Sequence, residues 1–306
     1  MFSLLVFMCF GEKVDEKKIR EIESVQRSFL LGFSRFQILN LLPRLISRIF
    51  FTKKWKDFYK LRSDQGKVLI PLIRSRQEQV KKTCEENQKS LGICYVDSLL
   101  NLELPDEGGR RLTDNEFVSL CSEFLNTGTD TTSTDLQWIM ANLVKHQEIQ
   151  SKLYDEIRTL DSDHYEIQEE NLKKLPYLKA VILEGLRRHP PSHYVLPHAV
   201  TQYVTLDGYI IPKEATVNVM IAEIGWDPKI WEDPMVKMIP FGAGRRMCPA
   251  FGLAMLHLEY FVANFIKEFK WTAKVGDDID LSEKQEFTTV MKNPLWAHVS
   301  PREEED

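Results

Sequence analysis

A cysteine between a glycine-rich stretch and an apolar segment is the residue of this chain best placed to do chemistry. Cys248 ends the run Pro240–Cys248, which also contains Gly242, Gly244 and Arg246. A cysteine at the start of a helix and beside an arginine has a lowered pKa, so its thiolate is available as a metal ligand. The two glycines let the backbone approach a flat cofactor closely, and Arg246 can pair with a carboxylate on it.

Two other interpretations apply to a cysteine in such a segment. A lone cysteine is more often an inert buried side chain than a ligand. The glycines also match the start of a phosphate-binding Gly-x-Gly-x-x-Gly loop, but Met247 occupies the third glycine position. We therefore exclude the phosphate loop and keep the inert cysteine as the alternative to a ligand.

A second candidate lies in the middle of a long predicted helix. A capping box at Thr113 and Glu116 is followed by apolar residues at spacings of three and four up to Val144, which predicts a helix of about thirty residues. Its centre, 126–133, contains glycine and β-branched residues that form helix poorly. The simpler interpretation is a turn of threonines whose hydroxyls bond back to the helix. A poor centre in a long helix favours a functional role there.

A carboxylate and a guanidinium three residues apart form a third pattern. Glu184 and Arg187 lie on one face of a helix that is predicted to begin near Pro176, so they can form an ion pair. Pro190 and Pro191 end this helix. Taken alone, such a pair is usually a solvated surface feature that contributes little stability.

Periodicity elsewhere in the chain predicts a mainly α fold with a small β component. Further helices are expected over 12–31, 41–84, 146–160 and 251–269. Interruptions are expected near Pro43 and Pro71, and the helix over 251–269 is apolar nearly all round and should be buried. The apolar segment 1–10 is too short for a membrane span and lacks the basic start of a signal peptide, which favours a buried helix.

Strands are expected in the last third of the chain. The segment 203–211 reads as a hairpin around the turn Asp207–Gly208, with another strand over 216–221. The segment 287–300 is expected to be strand-rich. Helices come first and strands later, with no internal repeat.

The composition excludes several classes of protein. The 306 residues include 40 Lys and Arg against 45 Asp and Glu, a net charge of −5, so no nucleic-acid partner is expected. Five cysteines, an odd number without a Cys-x-x-Cys pair, argue against a disulfide framework and favour a reducing compartment. No run reaches the roughly 20 apolar residues of a membrane span, so no membrane anchor is expected in this chain.

The segment around Cys248 resembles the haem-binding signature of the cytochrome P450 superfamily, Phe-x-x-Gly-x-Arg-x-Cys-x-Gly. Phe241, Gly244, Arg246 and Cys248 match it, and Ala250 stands where the last glycine is usual. The chain is similar to the plant A-type microsomal monooxygenases, and most to the subfamily numbered 89. The resemblance implies that Cys248 is the axial thiolate of haem b, whose electron donation favours O–O cleavage. It also implies that Phe241, Gly242, Gly244 and Arg246 contact the haem.

The centre of the long helix is similar to the family's oxygen-activation motif, Ala/Gly-Gly-x-Asp/Glu-Thr-Thr/Ser. The matching stretch is Thr127–Thr132. By this resemblance Asp130 and Thr131 are the acid–alcohol pair that delivers protons, and Gly128 leaves room for dioxygen. Thr127 replaces the usual small residue and should narrow the pocket there.

Two further matches concern the haem side of the molecule. Glu184 and Arg187 match the family's Glu-x-x-Arg, which implies a buried ion pair that organises the core on that side. His198 lies where the family commonly has a basic contact to a haem propionate. A lone histidine is otherwise more often structural.

The resemblance implies a single incomplete domain over 1–306, equal to the C-terminal two-thirds of the cytochrome P450 fold. It would comprise a mainly helical part (1–200), a hairpin region (201–235) and the cysteine loop, buried helix and last strands (236–306). The family's N-terminal anchor and first helices have no counterpart. The family's Pro-x-Arg-Phe meander before the cysteine loop is also lacking, so the Arg that joins Glu184 and Arg187 has no equivalent.

The expected function is a haem-thiolate monooxygenase. It would take electrons from an NADPH-cytochrome reductase and insert one atom of dioxygen into a small apolar substrate. For the family, the resemblance implies the cytosolic face of the endoplasmic reticulum membrane, whereas this chain, lacking the anchor, could stay in the cytosol. The alternative is a non-catalytic, degenerate fragment with an incomplete haem site.

Overall fold

The computed structural model describes residues 1–40, 42–85, 92–160, 167–227, 229, 238–274, 276 and 278–302, without the side chains of 33, 34, 40 and 83–85. The chain divides into two compact units, Met1–Asp130 and Thr131–Asp306. Helices dominate both and the strands are few and short, which confirms the predicted mainly α class with a small β component.

The first unit is almost entirely helical. Its helices are α1 (Phe2–Phe10), α2 (Glu16–Phe36), α3 (Arg44–Phe50), α4 (Thr52–Glu85), α5 (Tyr95–Leu100) and the first part of α6 (Asp114–Lys145). Two short strands, β1 (Glu103–Leu104) and β2 (Arg110–Arg111), pair antiparallel. The helix α1 is the buried helix predicted for 1–10, since Leu5, Val6 and Cys9 are almost fully buried.

Proline acts differently at the two predicted interruptions. Pro43 is the N-cap of α3, as predicted. Pro71 lies inside α4, so the predicted interruption there is wrong. A proline removes one helical hydrogen bond and disfavours the helical conformation of the residue before it. Burial of Leu69, Leu72 and Ile73 on either side of Pro71 offsets that cost.

A buried network of hydrogen bonds connects α2, α4 and α6. Gln65 Nε2 donates to Gln26 Oε1 at 3.0 Å and to Ser122 Oγ at 2.7 Å. Asn126 Nδ2 also donates to Gln26 Oε1, at 3.2 Å. Buried polar groups are costly unless they are paired, so this network fixes the rotation of α6 just before residues 127–132.

The second unit combines helices with hairpins. After the remainder of α6 its helices are α7 (Gln147–Arg158), α8 (Glu169–Leu172), α9 (Pro176–Arg188), α10 (Ile221–Trp226) and α11 (Phe251–Glu268). Its strands are β3 (His198–Ala199), β4 (Val204–Leu206), β5 (Tyr209–Ile211), β6 (Thr216–Val217), β7 (Phe269–Ala273), β8 (Glu283–Gln285), β9 (Thr289–Met291) and β10 (Ala297–Pro301).

The core of the second unit lies between α6, α9 and α11. Ile139 of α6, Ile182 of α9 and Leu258 of α11 are buried together in one apolar cluster. The helices α6 and α9 approach closely at Gly185, because a Cβ there would lie only 2.5 Å from Ile139 Cγ1. The buried character predicted for 251–269 is confirmed along the face that contains Leu258 and Val262.

Within the described ranges the strands form five antiparallel pairs, one in the first unit and four in the second. The predicted hairpin is β4 with β5, and Val204 pairs with Ile211. Its turn residues Asp207 and Gly208 have φ values of 47° and 81°, as a two-residue hairpin turn requires. The strand predicted for 216–221 is shorter than expected, because α10 begins at Ile221.

The C-terminal hairpin of β8 and β9 is joined to both α6 and the end of α9. Trp138 Nε1 donates to the Thr289 carbonyl at 2.8 Å, and the indole stacks on His189 with ring centroids 4.0 Å apart. His189 Nδ1 lies 3.1 Å from Glu283 Oε1. Burial lowers the pKa of His189 although this carboxylate lies beside it.

Substituting Gly185 tests whether the close approach of α6 and α9 depends on a missing side chain. Gly185→Ala should lower the free energy of unfolding by about 1–3 kcal/mol, because its methyl group must displace Ile139 from a packed core. Urea-induced unfolding followed by circular dichroism measures the change.

Gly66→Ala is the matched control in α4. Its methyl group would meet Ile70 at 3.5 Å, an ordinary contact, so the substitution should stabilise the chain by about 0.5–1 kcal/mol. Equal effects of the two alanines would contradict the packing account.

Candidate functional site

The loop that ends in Cys248 is closed by three backbone hydrogen bonds. The amide of Gly242 donates to the Ile239 carbonyl at 2.9 Å, and that of Met247 donates to the Gly244 carbonyl at 3.2 Å. The amide of Cys248 donates back to the Phe241 carbonyl at 2.9 Å. The loop therefore brings together Phe241 and Cys248, the first and last residues that match the signature. It also fixes the direction in which the chain leaves the loop at Cys248.

Two glycines give the loop its path. Gly242 has a φ of 73° and Gly244 a φ of 67°, in the left-handed region that residues with a Cβ adopt at a cost. A Cβ on Gly244 would meet no atom within 4 Å, so the loop faces open space there. The two glycines thus serve the backbone turn and leave a clear face beside Cys248.

Cys248 differs from the other described cysteines in its exposure. It is half-buried, whereas Cys9, Cys94 and Cys121 are buried, and all four are free thiols. The Cys248 carbonyl accepts a hydrogen bond from Phe251 N at 3.4 Å, at the first turn of α11. The thiol therefore stands just before a helix on a partly open loop, where a bound group can reach it.

Aromatic packing braces the loop against α11. The rings of Phe241 and Phe251 meet edge to face, with centroids 4.9 Å apart. Phe241 also packs against the apolar cluster of the second unit. A hypothetical Cβ on Gly242 would lie 3.9 Å from Val195 Cγ1. The strand segment that leads to His198 therefore passes beside the cysteine loop.

Two exposed basic residues flank this part of the unit. Arg246 lies in the loop, and His198 lies in β3, where it pairs with Val217 of β6. Neither side chain makes a hydrogen bond or ion pair with the residues that the structure describes. Both are therefore available to an anionic group of a ligand.

Glu184 and Arg187 form the predicted ion pair. Arg187 Nε donates to Glu184 Oε2 at 2.6 Å and Nη2 donates to Glu184 Oε1 at 2.5 Å. The Glu184 carboxylate is the main cause of a raised pKa for Arg187. The Arg187 side chain is 15% exposed and that of Glu184 is 56% exposed. The pair is therefore buried at the guanidinium and open at the carboxylate.

Arg187 also donates a hydrogen bond to a backbone carbonyl of α10. Arg187 Nη1 donates to the Gly225 carbonyl at 2.7 Å. A Cβ on Gly225 would lie 2.8 Å from the Arg187 carbonyl, so the glycine is what allows this approach. The shortened connection predicted before the cysteine loop falls mainly on 230–237, outside the described residues.

The threonine-rich centre of α6 is continuous helix. Thr127 Oγ1 donates to the Glu123 carbonyl at 2.7 Å, the back-bonded arrangement typical of threonine in a helix. Asp130 and Thr131 are half-buried. A Cβ on Gly128 would lie 3.1 Å from Leu5 Cδ1 of α1, so this glycine serves a tight contact within the first unit.

Asp135 is a residue of α6 that the sequence analysis missed. It is 5% exposed, and its Oδ1 has no hydrogen-bond partner among the described residues. Burial raises the pKa of its carboxyl well above the ordinary value of 3.8. It follows Thr131 by four residues and therefore lies on the same face of α6. The sequence does carry a signal, an aspartate just before the apolar run that begins at Leu136.

The whole chain was compared with known families and structures. The family model for cytochrome P450 matches residues 1–298. The chain belongs to the cytochrome P450 family. Cytochrome P450 89A9 of Arabidopsis thaliana is 47% identical over 335 residues, covering 99% of this chain and 64% of the relative. Cytochrome P450 98A2 of Glycine max is 30% identical, covering 98% of this chain and 62% of the relative.

Solved cytochrome P450 structures share the fold. A zebra fish cytochrome P450 with abiraterone superposes with a TM-score of 0.76 at 21% identity, over 99% of this chain and 70% of that chain. The zebra fish enzyme with progesterone gives a TM-score of 0.79 at 21% identity, over 98% and 69%. The predicted partial P450 fold is therefore confirmed.

This cytochrome P450 chain covers only part of the length of the plant relatives that it matches. It spans less than two-thirds of the two plant relatives named above. The alignment with 89A9 has 335 positions, more than the 306 residues of the chain. The relative therefore carries residues, within the aligned span, that have no counterpart here.

The residues present fit the haem that the family implies. Among the described residues, no group of three or more His, Cys, Asp or Glu could hold a metal ion. A porphyrin supplies four ligands itself, so a single thiolate is enough. The half-buried thiol of Cys248, the open face at Gly244 and the unpaired guanidinium of Arg246 meet that requirement.

The buried carboxyl of Asp135 should make stability depend on pH. Burial favours the protonated carboxyl of Asp135 in the folded chain, whereas the unfolded chain releases this proton above about pH 3.8, so the carboxyl lowers the unfolding free energy increasingly as pH rises. Asp135→Asn should remove this pH dependence. Its stability relative to the wild type should therefore rise with pH above about 3.8, by up to about 1.4 kcal/mol per pH unit.

Urea unfolding at several pH values measures this trend. Asp106→Asn is the matched control, since that carboxylate is exposed and the substitution should leave the pH dependence unchanged. A difference between Asp135→Asn and the wild type that stays constant with pH would show that Asp135 is ionised in the folded chain.

Proposed function

We propose that this chain is part of a haem-thiolate monooxygenase in which Cys248 holds the haem iron. The observation that carries the proposal is the cysteine loop. Its backbone hydrogen bonds and two left-handed glycines present a free, half-buried thiol just before α11. Among the described cysteines, this is the one that is not buried.

The placement of the loop residues supports the roles assigned to them. Phe241 and the two glycines would form the surface on which a flat ring lies, and Arg246 and His198 would pair with its carboxylates. Haem bound by a thiolate would supply the activation of dioxygen with electrons from an NADPH-cytochrome reductase, for insertion of one oxygen atom into an apolar substrate. Cys248 would be the iron ligand and would set the electron density at the metal.

We assign the delivery of protons for this chemistry to side chains of α6. Asp130 holds and passes the proton, and the Thr131 hydroxyl relays it. Side chains of adjacent helical residues do not face each other, so the transfer between these two runs through water. Both side chains are half-buried, so they can exchange protons with water. Leu5 of α1 fills the space beside Gly128, so the room for dioxygen that the resemblance implies there is not part of this proposal.

A second candidate function is a non-catalytic helical scaffold derived from such an enzyme. Two observations favour it. The Glu184 carboxylate is 56% exposed, whereas the resemblance implies a buried ion pair. The relatives also contain residues without a counterpart in this chain. Haem binding separates the two functions.

A membrane location is proposed for the whole protein, on the cytosolic face of the endoplasmic reticulum. In α3, the side chains of Leu45, Ile49 and Phe50 are 77%, 75% and 73% exposed, between Arg44 and Arg48. Apolar side chains flanked by cations suit the surface of an anionic membrane. None of the helices in the described ranges is long and apolar enough to cross a bilayer.

The carbon monoxide difference spectrum tests the proposed function. The chain, reconstituted with haem and reduced with dithionite, should show a Soret band shifted to long wavelength, because thiolate donation through the metal changes the porphyrin transition. Cys248→Ser should lose that band.

Cys94→Ser is the matched control, because it removes a thiol elsewhere and serine caps a helix well. It should keep the shifted band. Absence of the band in the wild type, while haem-free protein remains folded by circular dichroism, would contradict catalysis by this chain and favour the scaffold.

A further inference from the structure

A cleft of about 460 Å³ lies between α6, α7 and α9 in the second unit. Its floor is apolar and includes Leu143, Ile149 and Val181. Its polar lining includes Asn142, His146 and Arg188. The volume lies within the range of small-molecule sites, which are mostly apolar with a few polar groups that set orientation.

Local packing shapes the cleft. Gly185 lets α9 approach α6 at Ile139, and both residues line the cleft. Tyr177 also lines it, and Lys152 Nζ lies 4.4 Å from the Tyr177 ring centroid. The cation over the ring restrains Tyr177.

Among the charged side chains that line the cleft, Arg188 has no ion-pair partner within the described ranges. Glu184 lines the cleft, but both its oxygens accept hydrogen bonds from Arg187. Arg188 also lines it, and its guanidinium makes no hydrogen bond or ion pair with the described residues. Because Glu184 is neutralised by Arg187, Arg188 gives this cleft a positive end.

Two further groups limit what can bind. Asn142 Nδ2 donates to the Trp138 carbonyl at 2.8 Å, which leaves its Oδ1 as an acceptor in the cleft. His146 Nδ1 lies 3.5 Å from Glu148 Oε1, and Glu148 is not among the lining residues. The cleft thus combines an apolar floor with a cation and an acceptor.

We propose that this cleft binds a small molecule with an apolar body and one carboxylate. The body lies on Leu143, Ile149 and Val181, and the carboxylate faces Arg188. The site is separate from the cysteine loop and needs no haem. A ligand in the cleft lies beside the Glu184–Arg187 ion pair, because Glu184 lines the cleft.

Ligand-observed ¹⁹F NMR on the haem-free chain tests the site with 4-(trifluoromethyl)benzoate and its neutral amide, 4-(trifluoromethyl)benzamide. The benzoate should bind more tightly than the amide by about fivefold, the effect of an exposed ion pair of about 1 kcal/mol. Arg188→Gln should abolish that preference, whereas Arg20→Gln, on the exposed face of α2, should keep it.

A substitution that fills the cleft is the second part of this test. Ala180 lines it and is exposed, so Ala180→Trp should weaken binding of both probes by roughly tenfold without disturbing the core. If that variant unfolds by circular dichroism, Val181→Phe replaces it. Equal affinity for benzoate and amide in the wild type, or full affinity in the folded filled variant, would overturn the proposal. Neither result bears on haem binding by Cys248.

Discussion

Three hydrogen bonds from the Arg187 guanidinium to Glu184 and Gly225 position the helices around it in the second unit. Two go to Glu184 one turn earlier in α9, and the third goes to the Gly225 carbonyl in α10. A largely buried guanidinium that loses a partner leaves an uncompensated charge, which costs several kcal/mol, roughly 3–5. Arg187 thus connects α9 to α10, and the close approach at Gly185 connects α9 to α6 within the same unit.

Trp138 connects further elements of the same unit. Its indole donates to the C-terminal hairpin at Thr289 and stacks on His189 at the end of α9. Two buried polar atoms, Oδ1 of Asp135 one turn earlier in α6 and Nε2 of the stacked His189, have no partner among the described residues. Burial raises the pKa of Asp135 and lowers that of His189, which favours the neutral form of each group. An uncharged polar group costs less to bury without a partner than a charged one.

Features set by local chemistry could be predicted from the sequence. The capping box at Thr113 and Glu116 forms as expected, with the Thr113 amide donating to Glu116 at 2.8 Å. The hairpin at Asp207–Gly208 and the Glu184–Arg187 pair also follow from short-range spacing.

Features set by distant contacts could not be predicted in the same way. Pro71 stays inside α4 because its neighbours are buried by other helices. The contact of Gly225 with Arg187 joins residues far apart in the chain. The roles of Asp130, Thr131 and His198 came from resemblance to the family and stay predictions.

The measurement that most directly tests the central claim, that Cys248 is presented to a haem, is its alkylation by iodoacetamide with and without hemin, followed by mass spectrometry. Cys248 should react before the buried Cys9, Cys94 and Cys121, and hemin should protect it; an unchanged rate at Cys248 with hemin present would contradict the account.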